Sequence, residues 1–79
     1  MLTNPRPRAH QRLYDMLAQC DHASVFDIYE AVRGRQYFGG SAARCMGNIG
    51  SLVSQFNKRE TDCRVVLGPQ VYTYRLLRA

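Results

Sequence analysis

Ser41-Ala-Ala-Arg-Cys-Met-Gly-Asn-Ile-Gly-Ser-Leu-Val-Ser-Gln-Phe-Asn-Lys-Arg59 is the stretch whose reading decides the fold. Taken at helical period, it divides into two faces. Ala42, Met46, Ile49, Val53 and Phe56 recur at spacings of three and four, which puts them on one apolar stripe. Ser41, Arg44, Asn48, Ser51, Gln55 and Lys58 follow the same spacing on the opposite side. A solvated helix face usually mixes Glu with Lys, whereas this one holds no acid. Its Arg, Asn, Ser, Gln and Lys side chains are those that hydrogen-bond to phosphates and base edges. The pattern predicts a helix that reads nucleic acid, opened by Ser41 as its cap.

Working outward, two shorter helices precede it. Apolar positions Ala9, Leu13, Met16, Leu17 and Cys20 predict a helix from about Arg8 to Cys20, with Arg12, Asp15 and Gln19 outside. Residues 1–7, with two prolines and no apolar pattern, predict a flexible basic arm. Ser24 opens the second helix: its hydroxyl can accept from the Asp27 amide, and Asp27 suits the positive helix start. Phe26, Ile28, Tyr29 and Val32 supply its large apolar side chains, and Gly34 stands where a left-handed C-terminal cap belongs. Beyond Asp62 the period changes to two. Cys63-Arg-Val-Val-Leu67 and Val71-Tyr-Thr-Tyr-Arg-Leu76, parted by Gly68-Pro69-Gln70, predict an antiparallel hairpin. A Gly-Pro turn allows more than one loop length, so the register stays open.

The order helix, helix, helix, hairpin predicts an α+β chain, mainly α: a three-helix winged helix-turn-helix with a C-terminal β-hairpin wing, over residues 8–79. From Arg8 to Leu77 the chain resembles the winged-helix family, closest in pattern to the output domains of OmpR-type response regulators. The matching pieces are Val53-Ser-Gln-Phe-Asn-Lys-Arg59, where the long helix ends in basic residues, and Tyr72-Thr-Tyr-Arg-Leu76, where the hairpin closes. Thr73 takes the place of the usual glycine, and the N-terminal strands of OmpR-type domains have no counterpart in the pattern.

The resemblance implies double-stranded DNA as partner, with the third helix in the major groove and the wing against the backbone. Carried onto this chain, it places Arg44, Asn48, Ser51 and Gln55 against the bases. Ser41, Lys58, Arg59, Arg64 and Arg75 would contact phosphate, while Arg6 and Arg8 would form a minor-groove arm. Tyr37 and Phe38, beside Gly39-Gly40 in a long interhelical loop, either tuck into the core or contact a protein. In OmpR-type domains the corresponding loop touches RNA polymerase. A protein-interaction module on the same scaffold is therefore the alternative function.

Composition bounds these expectations. The 79 residues carry a net charge of +5, and ten of the eleven cations are arginine, which favours an acidic partner. Arginine richness also follows from a high-GC genome. A core of this size is marginal, so dimerisation or a bound partner is expected to add stability, and a homodimer would suit paired half-sites. Cys20, Cys45 and Cys63 lie far apart, which predicts buried reduced thiols, no metal and no cofactor. His10 and His22 lack a nucleophile or carboxylate partner in any recognisable motif, so no enzyme is expected. No run reaches membrane-spanning length and none resembles a signal peptide, which predicts a cytoplasmic protein. Gly47 and Gly50 each cost the helix about 1 kcal/mol relative to alanine, which predicts a close backbone approach by DNA or by a neighbouring helix, the latter for Gly50.

Overall fold

The computed structural model describes residues 6–78. Of the arm expected over residues 1–7, residues 1–5 lie outside the described residues. The elements are three helices and three strands in the order α1 (Arg8–Ala18), β1 (Ala23–Ser24), α2 (Val25–Arg33), α3 (Ala42–Arg59), β2 (Cys63–Leu67) and β3 (Thr73–Arg78). The chain is an α+β domain in which the helices cover one face of a small antiparallel sheet.

Local chemistry sets most helix ends. Ser24 and Ser41, both extended, accept hydrogen bonds from the backbone N–H of Asp27 and Arg44 at 3.2 and 3.3 Å. Gly34 ends α2 at φ 78°, a left-handed conformation that glycine adopts without steric cost, and its N–H donates to the Glu30 carbonyl at 2.8 Å. α1 stops at Ala18, short of the expected Cys20. The Cys20 thiol is accordingly exposed and donates to the Met16 carbonyl, so the expectation of three buried thiols holds only for Cys45 and Cys63.

The sheet differs from the expected two-stranded hairpin. β3 lies in the middle of the order β1-β3-β2, with Ala23 opposite Tyr74, Ser24 opposite Thr73, and Cys63 through Leu67 opposite Arg78 through Tyr74. Strand β1 has only two residues and so carries no period that a sequence reading could detect. Its pairing supports a hairpin that would be marginal alone.

β3 begins at Thr73 rather than Val71, because residues 68–72 form a built loop. The Thr73 hydroxyl donates to the Gln70 carbonyl at 2.6 Å, the Gly68 N–H donates to the Thr73 carbonyl at 2.8 Å, and Tyr72 takes a left-handed φ of 58°. Thr73, standing where the resemblance expects glycine, thus closes this loop with its side chain.

The core is continuous through all three helices and the sheet: Leu13 and Leu17 of α1, Val25, Ile28 and Val32 of α2, Cys45, Ile49, Leu52, Val53 and Phe56 of α3, with Val65 and Tyr74. The buried stripe of α3 is rotated from the expected one. Cys45 and Leu52 are buried, whereas Ala42 and Met46 sit at the margin. The rotation follows from α2, since the Cys45 thiol donates to the Val25 carbonyl at 3.3 Å. Phe56 is the largest fully buried side chain, and truncating it to alanine would cost about 3–5 kcal/mol.

Candidate nucleic-acid interface

With its apolar stripe committed to the core, α3 presents the opposite face to solvent. Arg44, Asn48, Ser51, Gln55, Lys58 and Arg59 are all exposed along it, and no acid interrupts the row. The two N-terminal members are already oriented by the preceding loop. The Arg44 guanidinium donates to the Gly39 carbonyl at 3.3 Å, and Asn48 Nδ2 donates to the Tyr37 hydroxyl at 3.3 Å. Ser41 uses its oxygen as the helix cap, which leaves its O–H to donate elsewhere.

Tyr37 and Phe38 part company. Tyr37 is half-buried, its ring edge-on to Tyr29 at 5.0 Å and tilted against Phe26 at 6.2 Å. Phe38 is 86% exposed. The loop is thus pinned by one aromatic, through which Asn48 is held, while the other projects outward.

Gly47 and Gly50 lie on the exposed half of α3, and a Cβ built at either meets nothing within 4 Å. The close approach by a neighbouring helix expected at Gly50 is therefore absent. Among the described residues no contact accounts for either glycine, and the α3 backbone is open to close approach at both.

One flank of this face borders a groove of about 500 Å³, floored in part by Leu52. Asn48, Ser51, Gln55 and Arg59 form one wall, the first turn of α1 with Pro7, Ala9 and His10 another, and Arg33 at the end of α2 closes it. No carboxylate lines it. Arg33 and His10 were not singled out by the sequence as site residues. The Arg33-Gly-Arg35 run at a helix end was the available signal for the first. The second carried none, because its burial is set by tertiary packing. His10 is 6% exposed and its ring lies 5.9 Å from that of Phe56. Burial, and secondarily the Arg59 charge, hold the imidazole below its ordinary pKa, partly opposed by Glu60.

The remaining cations are distributed elsewhere. Arg64 and Arg75 are exposed on the sheet face turned away from the helices, opposite Leu77 and Val66 respectively. Arg64 also borders a separate depression with Glu60 and Asp62. Arg8 is exposed at the start of α1.

Arg6, expected with Arg8 in a minor-groove arm, is engaged within the chain. Its guanidinium pairs with Glu60 at 2.9 Å, donates to Gln11 at 3.3 Å and lies 4.2 Å from the centre of the Tyr14 ring. It ties the segment before α1 to the end of α3. The Arg6 hydrogen bond is the main cause that draws the Glu60 carboxyl below its ordinary pKa.

Among the described residues no cluster of three or more His, Cys, Asp or Glu side chains is placed to hold a metal ion, and no helix is long and apolar enough to cross a membrane. Comparison of the chain with family models, curated proteins and solved structures found no match in any of the three.

Proposed function

We propose that this protein binds double-stranded DNA sequence-specifically as a winged helix-turn-helix domain and acts as a small transcriptional regulator, with α3 in the major groove. The observation that carries this reading is the acid-free outer face of α3, exposed from Arg44 to Arg59 and open at Gly47 and Gly50. The order of three helices followed by a hairpin, on which the resemblance to winged helices rests, supports it. β1 adds a strand without disturbing that order.

In this reading Arg44, Asn48, Ser51 and Gln55 face base edges. Asn48 approaches with its carboxamide held by Tyr37, so its orientation is partly set before contact. Ser41, Lys58 and Arg59, with Arg64 and Arg75, contact phosphate, Arg8 reaches the minor groove, and two copies occupy paired half-sites. Binding should weaken steeply with added salt as phosphate contacts release counterions. The test is a mobility shift on mixed-sequence duplexes across a salt series. Retarded complexes with a log–log salt slope of several units support the reading, and an absence of retardation at low salt refutes it.

Phe38 favours a second reading, in which the scaffold docks a protein such as a polymerase subunit. Among the described residues it is the most exposed of the large apolar side chains, and Leu67, beside the cation-free hairpin loop, and Val71, within it, are also exposed. Loss of a captured partner on Phe38→Ala, with Arg44→Ala without effect, would decide for it.

A further inference from the structure

The groove between α1 and α3 has features that base reading does not require. The first intrahelical hydrogen bond of α1 runs from the Gln11 N–H to the Pro7 carbonyl at 2.9 Å, so the N–H groups of Arg8, Ala9 and His10 precede it. Pro7, the N-cap, offers no side-chain acceptor, and the first turn contains no acid. The positive end of the helix dipole at this wall is left uncompensated by the helix's own side chains.

A separate observation concerns His10. It lines the same groove, is 6% exposed, and its Nδ1 has no hydrogen-bond partner among the described residues. A buried ring nitrogen without a partner is rare in native proteins and calls for an explanation. The nearby carboxylate, Glu60, is engaged by Arg6 and does not line the groove. Across from His10 stand the exposed Arg33 guanidinium, the Ser51 hydroxyl and the Gln55 amide, all able to donate.

We propose that this groove is a binding site for a phosphate group, received by the first-turn N–H groups of α1, the Arg33 guanidinium and the imidazole of His10. Backbone donors at a helix start combined with an arginine fork suit a tetrahedral oxyanion. A volume of about 500 Å³ holds a phosphate with room for what it is attached to. A phosphodiester of the DNA backbone and a free phosphate monoester share this chemistry. The first source rests on the DNA-binding reading; the site itself does not.

The test is titration of inorganic phosphate into the full chain at constant ionic strength set by chloride. Nuclear magnetic resonance follows the Ala9 and His10 amides and the His10 imidazole nitrogens. Saturable shifts at these nuclei are expected with phosphate and not with chloride, with binding about tenfold weaker in Arg33→Gln, an exposed position. Equal responses to both anions, or phosphate shifts that spare Ala9 and His10, overturn the site.

A parallel titration with a short duplex separates the sources. Shifts at the same nuclei, together with a smaller salt slope in Arg33→Gln, assign the phosphate to DNA. Saturable phosphate binding without duplex binding upholds the site, assigns it to a free phosphate and removes the DNA reading. Duplex binding without phosphate binding and without shifts at His10 does the reverse.

Discussion

Asn57 hydrogen-bonds both backbone groups of Val65: its Nδ2 donates to the Val65 carbonyl at 2.9 Å, and the Val65 N–H donates to its Oδ1 at 2.8 Å. Val65 lies in β2, an edge strand whose outer backbone groups would otherwise await another strand. One side chain of α3 thus stands in for a neighbouring strand and fixes the hairpin to the helix. Asn57→Ala is expected to lower stability by about 1–3 kcal/mol, because two partly buried backbone groups lose their partner. Asn57→Asp should cost at least as much, since a carboxylate cannot donate to the Val65 carbonyl. Urea unfolding followed by far-ultraviolet circular dichroism measures both.

The pH dependence of stability follows from two groups beside each other at the end of α3. His10 is held below its ordinary value near 6.5 mainly by burial, so the folded chain keeps the neutral ring while the unfolded chain takes up a proton. Stability is therefore full above that value and falls as the pH drops below it toward the folded-state pKa. Glu60, drawn below its ordinary value near 4.5 by Arg6, contributes stability that is present above that value and lost as the pH falls through its folded-state pKa. Acid should weaken the fold in two stages. His10→Gln should remove the first stage and Glu60→Gln the second, as read from melting temperatures between pH 3 and 8, a window about one unit or more beyond both ordinary values.

Gly47→Ala and Gly50→Ala separate folding from binding. An added methyl meets nothing among the described residues at either position, and each glycine sits inside a long helix. Each substitution is expected to raise stability by about 0.5–1 kcal/mol. If the backbone at these positions approaches DNA, the same substitutions weaken duplex affinity. Thermal melts alongside anisotropy titrations measure the two effects on one sample. Stabilised variants with unchanged affinity would show that the glycines serve no contact with DNA.

The loop between β2 and β3 depends on one hydroxyl. Thr73→Val keeps the shape of the side chain but removes its bonds to the carbonyl and amide of Gln70. A loss of about 1 kcal/mol is expected, with increased amide exchange confined to residues 68–72.

Features visible in the sequence were those set by neighbours along the chain. Ser24, Ser41 and Gly34 act at helix ends within three or four residues of their partners, so composition and position suffice to read them. Strand β2 was legible because its five residues alternate inward and outward up to Val66. Features missed were those made by contacts between distant segments. β1 exists because Ala23 and Ser24 meet Tyr74 and Thr73, and Arg6 is drawn from the expected arm by Glu60. His10 becomes part of a groove only when α1 is laid beside α3. The exposure of the α3 outer face was legible, since helical period alone decides which residues share it. The tethering of Asn48 by Tyr37 was not, because it requires the fold of a loop with no period.

The central claim is that the outer face of α3 distinguishes DNA sequences. The most direct measurement takes a duplex selected from a random pool by the wild-type chain and compares its affinity with that of a scrambled duplex, for the wild type and for Gln55→Ala. Gln55 is exposed on the outer face of α3, outside the core. A base contact made by Gln55 predicts that discrimination falls by about 1–3 kcal/mol while affinity for the scrambled duplex is unchanged. Discrimination that survives Gln55→Ala, Asn48→Ala and Arg44→Ala alike, or a wild-type chain that binds both duplexes equally, would contradict it.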